Sequence, residues 1–241
     1  MTKKHTILTA INSKYIHSNL AVYCLRAYAK PYIDEVEIAE YTINQQVDDI
    51  LMSLYQKHPD ILCFSCYIWN IDIILDLCCQ LKQVMPDTKL LLAGPEVSYN
   101  STEIMEQYTF IDGIIRGEGE AALIPLLKHL QSKTPAASVP SFTYRIGQHI
   151  AETEQASPIS LSQLPFPYPD LEKEKGRILY FECSRGCPFQ CGYCLSSIEK
   201  GVRFMPLEQV YQCLDLFLSK DVPQVKFVDR TFNCKKSHAM A

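Results

Sequence analysis

Short apolar runs alternate with amphipathic stretches along the front of the chain. Residues 7–11, 36–41, 61–68, 89–93 and 113–116 read as strands, and residues 19–30, 47–57, 71–84 and 120–130 as helices. In the second helix Val47, Ile50, Leu51 and Leu54 recur at the helical period and form one stripe. The 61–68 run, Ile-Leu-Cys-Phe-Ser-Cys-Tyr-Ile, is nearly all apolar, as a strand covered on both faces must be. Strands and helices in this alternation predict an α/β domain over residues 1–134. Its core is a doubly wound, parallel, five-stranded sheet of Rossmann-like type with right-handed crossovers.

The rhythm breaks over residues 135–176, which hold six of the fourteen prolines and no cysteine. Such a stretch is expected to be a stiff, extended linker. Within it, 141–145 and 149–151 flank Ile146-Gly147-Gln148 and predict a small hairpin. Strand and helix signals resume in residues 177–241, with strands at 177–182 and 224–229 around a helix at 207–218. These 65 residues hold about two βα units at roughly 30 residues each. A closed eightfold barrel takes about 250 residues, so the reading is the N-terminal portion of an incomplete TIM-type barrel.

Composition narrows the class. With 47% hydrophobic and 21% charged residues and a net charge of −4, the 241-residue chain reads as globular, without the basic stripe of a nucleic-acid binder. No apolar run reaches the roughly 18–20 residues of a membrane span, and the N-terminus offers too few apolar residues for a signal-peptide core. A soluble, cytoplasmic protein is expected.

Eleven cysteines are many for such a chain. Cys24, Cys63, Cys66, Cys78 and Cys79 lie scattered in apolar stretches and read as small core residues. Cys183, Cys187, Cys191 and Cys194 crowd into twelve residues spaced C-x3-C-x3-C-x2-C. Thiolates are soft ligands for zinc, copper(I) or iron–sulfur clusters. A structural zinc site usually joins two separated knuckles, and only one cluster of cysteines is present; zinc stays open as the alternative.

Cys187-x3-Cys191-x2-Cys194, with Tyr193 before the last cysteine and the loop following a strand, resembles the signature of radical S-adenosylmethionine enzymes. The full string from Glu182 to Cys194 is similar to the subfamily carrying an N-terminal cobalamin-binding domain. It includes cobalamin-dependent methyltransferases and the anaerobic magnesium-protoporphyrin monomethyl ester cyclases. Four loops agree with this: Asn-Ser-Lys-Tyr-Ile-His at 12–17, Phe-Ser-Cys-Tyr-Ile-Trp-Asn at 64–70, Ala-Gly-Pro-Glu-Val at 93–97 and Arg-Gly-Glu-Gly-Glu at 116–120.

The resemblance implies a 4Fe-4S cluster on Cys187, Cys191 and Cys194, its fourth iron open to S-adenosylmethionine. Reductive cleavage would give a 5′-deoxyadenosyl radical, and methyl transfer to an unactivated carbon or an oxidative cyclisation would follow. An external donor of flavodoxin or ferredoxin type and a small-molecule substrate are implied. Tyr193 would support the adenine and Phe189 would pack beside the cluster, plain packing being the alternative for both. Asp229, closing the second barrel strand, would contact S-adenosylmethionine, with a turn role as the alternative. Cys183 lies outside the three-cysteine motif and reads as a strand-end residue, with a fourth ligand or spare thiol as the alternative.

Ligands of open α/β sheets sit beyond the carboxyl ends of the strands. There the resemblance implies cobalamin contacts from Ser65, Cys66, Tyr67, Gly94, Pro95, Glu96, Gly117, Glu118 and Gly119. The glycines would let backbone approach a flat cofactor, while Glu118 and Glu120 have helix capping as an alternative. Domains that ligate cobalt through histidine carry Asp-x-His-x-x-Gly. Tyr15 and Leu20 replace that Asp and Gly around His17, so His17 reads as a loop histidine bonded to backbone or solvent, with the lower cobalt ligand as the alternative. Without a protein histidine, cobalt would be five-coordinate or contacted by another loop group such as Tyr15 or Asn12.

Overall fold

The computed structural model describes residues 4–29, 36–131, 134–198 and 201–241. Five parallel strands, β1 (Thr6–Asn12), β2 (Val36–Thr42), β3 (Ile61–Ser65), β4 (Lys89–Ala93) and β5 (Gly113–Ile115), line up in the order β2-β1-β3-β4-β5. The helices between and after them are α1 (Leu20–Tyr28), α2 (Val47–Gln56), α3 (Ile71–Val84), α4 (Ser101–Gln107) and α5 (Glu120–Leu130). The expected end of the first helix, Lys30, lies outside the described residues.

Strand periodicity explains why helices cover both faces. In β1, Ile7 and Ile11 enter a core with Ile50 and Leu54 of α2, Leu77 and Leu81 of α3, and Ile104 of α4. Leu8 and Ala10 point the other way, toward Val22 and Tyr23 of α1 and Leu123 and Leu127 of α5. The expected doubly wound sheet is present.

It is larger than the sequence predicts. The hairpin β6 (Phe142–Ile146) and β7 (His149–Glu152) pairs antiparallel with β5, with Phe142 opposite Ile115, and extends the sheet to seven strands. The Pro-rich stretch beyond it is folded onto the molecule as short 3-10 turns, with Leu161, Leu164 and Tyr168 buried. Prolines fix the chain direction there while the apolar residues between them find a core.

That core is shared with the rear of the chain. Strands β8 (Leu179–Phe181) and β11 (Val225–Phe227) run parallel around helix α6 (Leu207–Ser219), forming a βαβ unit as expected for barrel strands. Leu179, Phe181, Val210 and Phe217 pack with Val22 and Tyr23 of α1. A second, unpredicted hairpin, β9 (Ser184–Cys187) with β10 (Gly201–Phe204), interrupts this unit, and a short helix α7 (Lys236–Ala239) follows β11. Docking is reinforced by backbone bonds: Ser18 N–H donates to Ile178 O at 3.2 Å and Ile178 N–H to Ile16 O at 2.6 Å. No described helix is long and apolar enough to cross a membrane.

Candidate cofactor site

In a 2-1-3-4-5 sheet the chain reverses direction across the sheet between β1 and β3, so the crevice beyond their carboxyl ends is the expected ligand position. Asn70 ties these ends together. Its side-chain amide donates to Ile11 O and Ser65 O, both at 3.0 Å, and its side-chain carbonyl accepts from Tyr67 N–H at 2.7 Å. Held on this frame, Tyr67 stacks on Trp69 with ring centroids 4.5 Å apart and planes within 5°. Trp69 and Ile68 are exposed, as are Tyr15 on the β1 loop and Tyr99 beyond β4. The apolar surface offered at the strand ends is therefore made by Ile68, Trp69, Tyr15 and Tyr99, of which the sequence singles out Tyr15 alone.

Several expected contacts are engaged elsewhere. Cys66 is fully buried, its N–H donates to Ala93 O at 2.7 Å, and burial pushes its thiol up, so its sulfur belongs to the core rather than to a ligand face. Gly94 has φ +109°, and a Cβ there would lie 2.5 Å from Cys66 O. The missing side chain makes room for the backbone of Cys66. We predict that Gly94→Ala costs about 3 kcal/mol from left-handed strain and overpacking, read as a lower urea midpoint. An unchanged midpoint would refute the crowding argument. Ser65 is buried, while Pro95 and Glu96 are half-buried on the β4 loop. Ser98 joins two loops: its hydroxyl donates to Gly94 O at 2.7 Å and accepts from Gly117 N–H at 3.0 Å.

Glu118 and Gly119 are also accounted for within the fold. Gly119 lies against Leu25, whose methyl would be 2.9 Å from a Cβ. Glu118 accepts from Nη1 and Nη2 of Arg203 and lies 3.4 Å from Arg185. Glu120 accepts from Arg185 at 2.6 Å. Both carboxylates are thus ion-paired with arginines from the rear of the chain.

Arg185 belongs to the cysteine motif, so these ion pairs bring the motif to the strand ends of the sheet. Burial raises the Tyr67 phenol, against a smaller opposing effect of the Ser65 hydroxyl. Cys187 and Cys191 are half-buried and Cys194 is exposed; Tyr193 and Phe189 between them are exposed. All eleven cysteines are free. Among the described residues no three Cys, His, Asp or Glu side chains are gathered closely enough to coordinate an ion, so convergence of the three sulfurs would accompany metal binding. The donor set suits an iron–sulfur cluster. Three unpaired thiols share one loop, and the Thr231 hydroxyl, 3.5 Å from Cys187 Sγ, holds that thiol below its ordinary range.

Cys183 is unlike the other three. It is buried, burial pushes its thiol up, and its sulfur donates to Asp229 Oδ1 at 3.1 Å. Asp229 also accepts from Cys183 N–H at 3.3 Å and from the Ser184 hydroxyl. Both carboxylate oxygens thus lock the end of β11 to the end of β8, the structural role that the sequence left as the alternative for Asp229. Cys183 is a strand-end residue.

Residues 7–127 match the family described as the B12 binding domain. The chain belongs to the B12 binding domain family. It is 27% identical over 242 aligned positions to the cobalamin-dependent radical SAM methyltransferase TokK of Streptomyces tokunonensis, a match covering 90% of this chain and 35% of TokK. Among solved structures it resembles the cobalamin-dependent S-adenosylmethionine radical enzyme OxsB with aqua-cobalamin and S-adenosylmethionine bound. The TM-score is 0.77 at 19% identity, over 94% of this chain and 34% of OxsB. The radical S-adenosylmethionine methyltransferase TsrM from Kitasatospora setae gives a TM-score of 0.72 at 16% identity, over 98% of this chain and 49% of TsrM. These two likenesses are of fold. The chain spans about a third of the length of the curated relatives it matches.

In this B12 binding domain chain, His17 is bonded neither to backbone nor to solvent through its ring Nδ1. That nitrogen lies 2.7 Å from the Tyr180 hydroxyl of β8. Burial first, then the positive charges of Lys226, Lys14 and Arg177, lower its pKa. Asn12 is likewise internal, its amide donating to His17 O at 3.0 Å and Glu40 Oε1 at 2.9 Å. The β1 loop of the B12 binding domain thus serves first to hold the rear strand.

Proposed function

We propose that this chain is the corrinoid- and cluster-bearing part of a cobalamin-dependent radical S-adenosylmethionine enzyme that transfers a methyl group to an unactivated carbon of a small molecule. One observation carries the reading: the three-thiol loop is fastened by Arg185 and Arg203 to a strand-end loop of a B12 binding sheet. When bound, the cluster supplies the electron that splits S-adenosylmethionine, and the corrinoid supplies the methyl group. Cys187, Cys191 and Cys194 would hold the cluster, leaving one iron without a protein ligand. Ile68, Trp69 and Tyr15 would cover a corrin face, since wide flat ligands are bound mainly by aromatic and aliphatic surface. Tyr193 and Phe189 are exposed on the same loop as the thiols and are available to S-adenosylmethionine. Electrons would come from a flavodoxin- or ferredoxin-type donor.

The test is composition and turnover. Anaerobic reconstitution with iron, sulfide and hydroxocobalamin is expected to give about four irons with matching sulfide, one corrinoid, and reductive formation of 5′-deoxyadenosine and methionine. Zinc without inorganic sulfide would overturn the reading. Bound cluster and corrinoid without cleavage of S-adenosylmethionine would reduce the chain to a binding module.

A further inference from the structure

The hairpin at whose end the three thiols hang has two strands and joins no larger sheet. Two-stranded hairpins are marginal in water by themselves, and this one carries an internal conflict. Arg185 on β9 stands directly opposite Arg203 on β10, a pairing of like charges that destabilises a strand pair. Three carboxylates around them offset it, and two of the three come from the loop and helix that follow β5 in the B12 binding domain. Glu118 contacts both guanidinium groups, at 3.4 Å from Arg185 and 3.3 Å from Arg203 Nη1. Glu120 takes Arg185 Nη2 at 2.6 Å, and Glu182, from the strand side, takes Nε at 3.0 Å. Arg185 and Glu120 are nearly enclosed, with side-chain exposures of 15% and 5%. Charges so placed hold a fixed geometry, because any displacement leaves one of them unpaired away from water. Gly186, the next residue, has φ +97°, and a Cβ would meet Gly201 O at 2.2 Å, so the two strands approach here more closely than any side chain would allow.

On the anion side, Glu118 follows Gly117, whose N–H is held by Ser98 of the β4 loop. A ligand settling on the strand ends therefore acts on the same loop that carries Glu118 and Glu120. We infer that Arg185, with Arg203, is a positioning residue that couples corrinoid occupancy of the front sheet to the position and protection of the cysteine loop. The inference rests on the functional reading above and adds to it a route from one cofactor to the other.

Two readouts test it without turnover: amide hydrogen exchange across the 184–198 segment, and the rate at which a chelator strips iron from the reconstituted chain, each with and without hydroxocobalamin. In the unmutated chain corrinoid is expected to slow both by at least about five-fold, the lower end of ordinary site-to-site coupling. In Arg185→Met, compared at equal iron and corrinoid content, the ratio should fall below about two-fold. Arg185→Lys should recover part of it. Glu118→Gln, which leaves Arg185 its other two carboxylates, should weaken the ratio from the opposite side and serves if Arg185→Met does not fold. Equal ratios in the unmutated chain and the variants would overturn the coupling, as would an unmutated chain that binds both cofactors yet shows no corrinoid-dependent protection. Failure of the unmutated chain to take up iron, sulfide or corrinoid would instead remove the functional reading, and the coupling with it.

Discussion

Changing Cys187, Cys191 and Cys194 together to alanine is expected to remove all iron and sulfide from the reconstituted chain while leaving its urea midpoint and its corrinoid uptake close to those of the parent. The three thiols lie at the end of β9 and on the loop after it, exposed or half-buried, and fill no core space, so their loss removes little more than the contact of Cys187 with Thr231. The strand-end loops proposed to face a corrinoid are held by their own bonds, Asn70 to Ile11 and Ser65, and Ser98 to Gly94 and Gly117. Cys183→Ala should behave in the opposite way. It deletes a buried sulfur and leaves Asp229 Oδ1 short of a donor, a loss of about 1–3 kcal/mol, while iron content stays at the parent level. Metal analysis and denaturation of the two variants side by side separate ligand from scaffold. If Cys183→Ala lost iron as completely as the triple variant, the assignment of the cluster to three cysteines would be wrong.

Much of the architecture could be read from the chain because its signals are local. The 61–65 run is apolar at every position except Ser65, and a strand covered by α1 and α5 on one face and α2 to α4 on the other needs that pattern. Helix α4 escaped because it has only seven residues and no full stripe. The β6–β7 hairpin announced itself through its turn, but its pairing with the β5 edge is non-local and left no mark in either segment. Hairpin β9–β10 was hidden by its composition, Ser-Arg-Gly-Cys against Gly-Val-Arg-Phe, which lacks the alternation of a half-buried strand.

The site was legible to the same extent and for the same reason. The cysteine spacing is a local pattern, and so are the loops at the strand ends. What each loop residue touches is not. Nothing in the segments of Gly94 and Glu118 announces Cys66 O or Arg203 beside them, the latter 85 residues away along the chain. Trp69 sat within a loop already noted, and its exposure, which no periodicity reveals, is what marks it.

Replacing Arg177 by methionine is expected to cost the protein about 3–5 kcal/mol, the usual consequence of removing one partner from a buried charge network. Arg177 Nη1 donates to Glu40 Oε2 at 2.6 Å and Glu174 Oε2 at 3.0 Å, and Nη2 donates to His17 O at 2.6 Å. The side chains of Arg177, Glu40 and Glu174 are 16%, 12% and 10% exposed. Without the guanidinium, two carboxylates would face each other across the Tyr23 hydroxyl, 2.8 Å from each. Burial and both neighbouring carboxylates already push the Tyr23 phenol well up, so this hydroxyl remains a donor and cannot supply the missing positive charge. Glu40 cannot withdraw, because its Oε1 is held by Asn12 and by Asn19 N–H at the start of α1. The strain should therefore fall on the contact between front sheet and β8. Thermal denaturation of Arg177→Met and of the Arg177→Met, Glu40→Gln pair reads it: the second change should return part of the loss, since it removes one of the two stranded charges. A loss below about 1 kcal/mol for the single variant would mean that Tyr168 and the apolar core shared by α1, β8 and α6 hold the two halves together without the charge network.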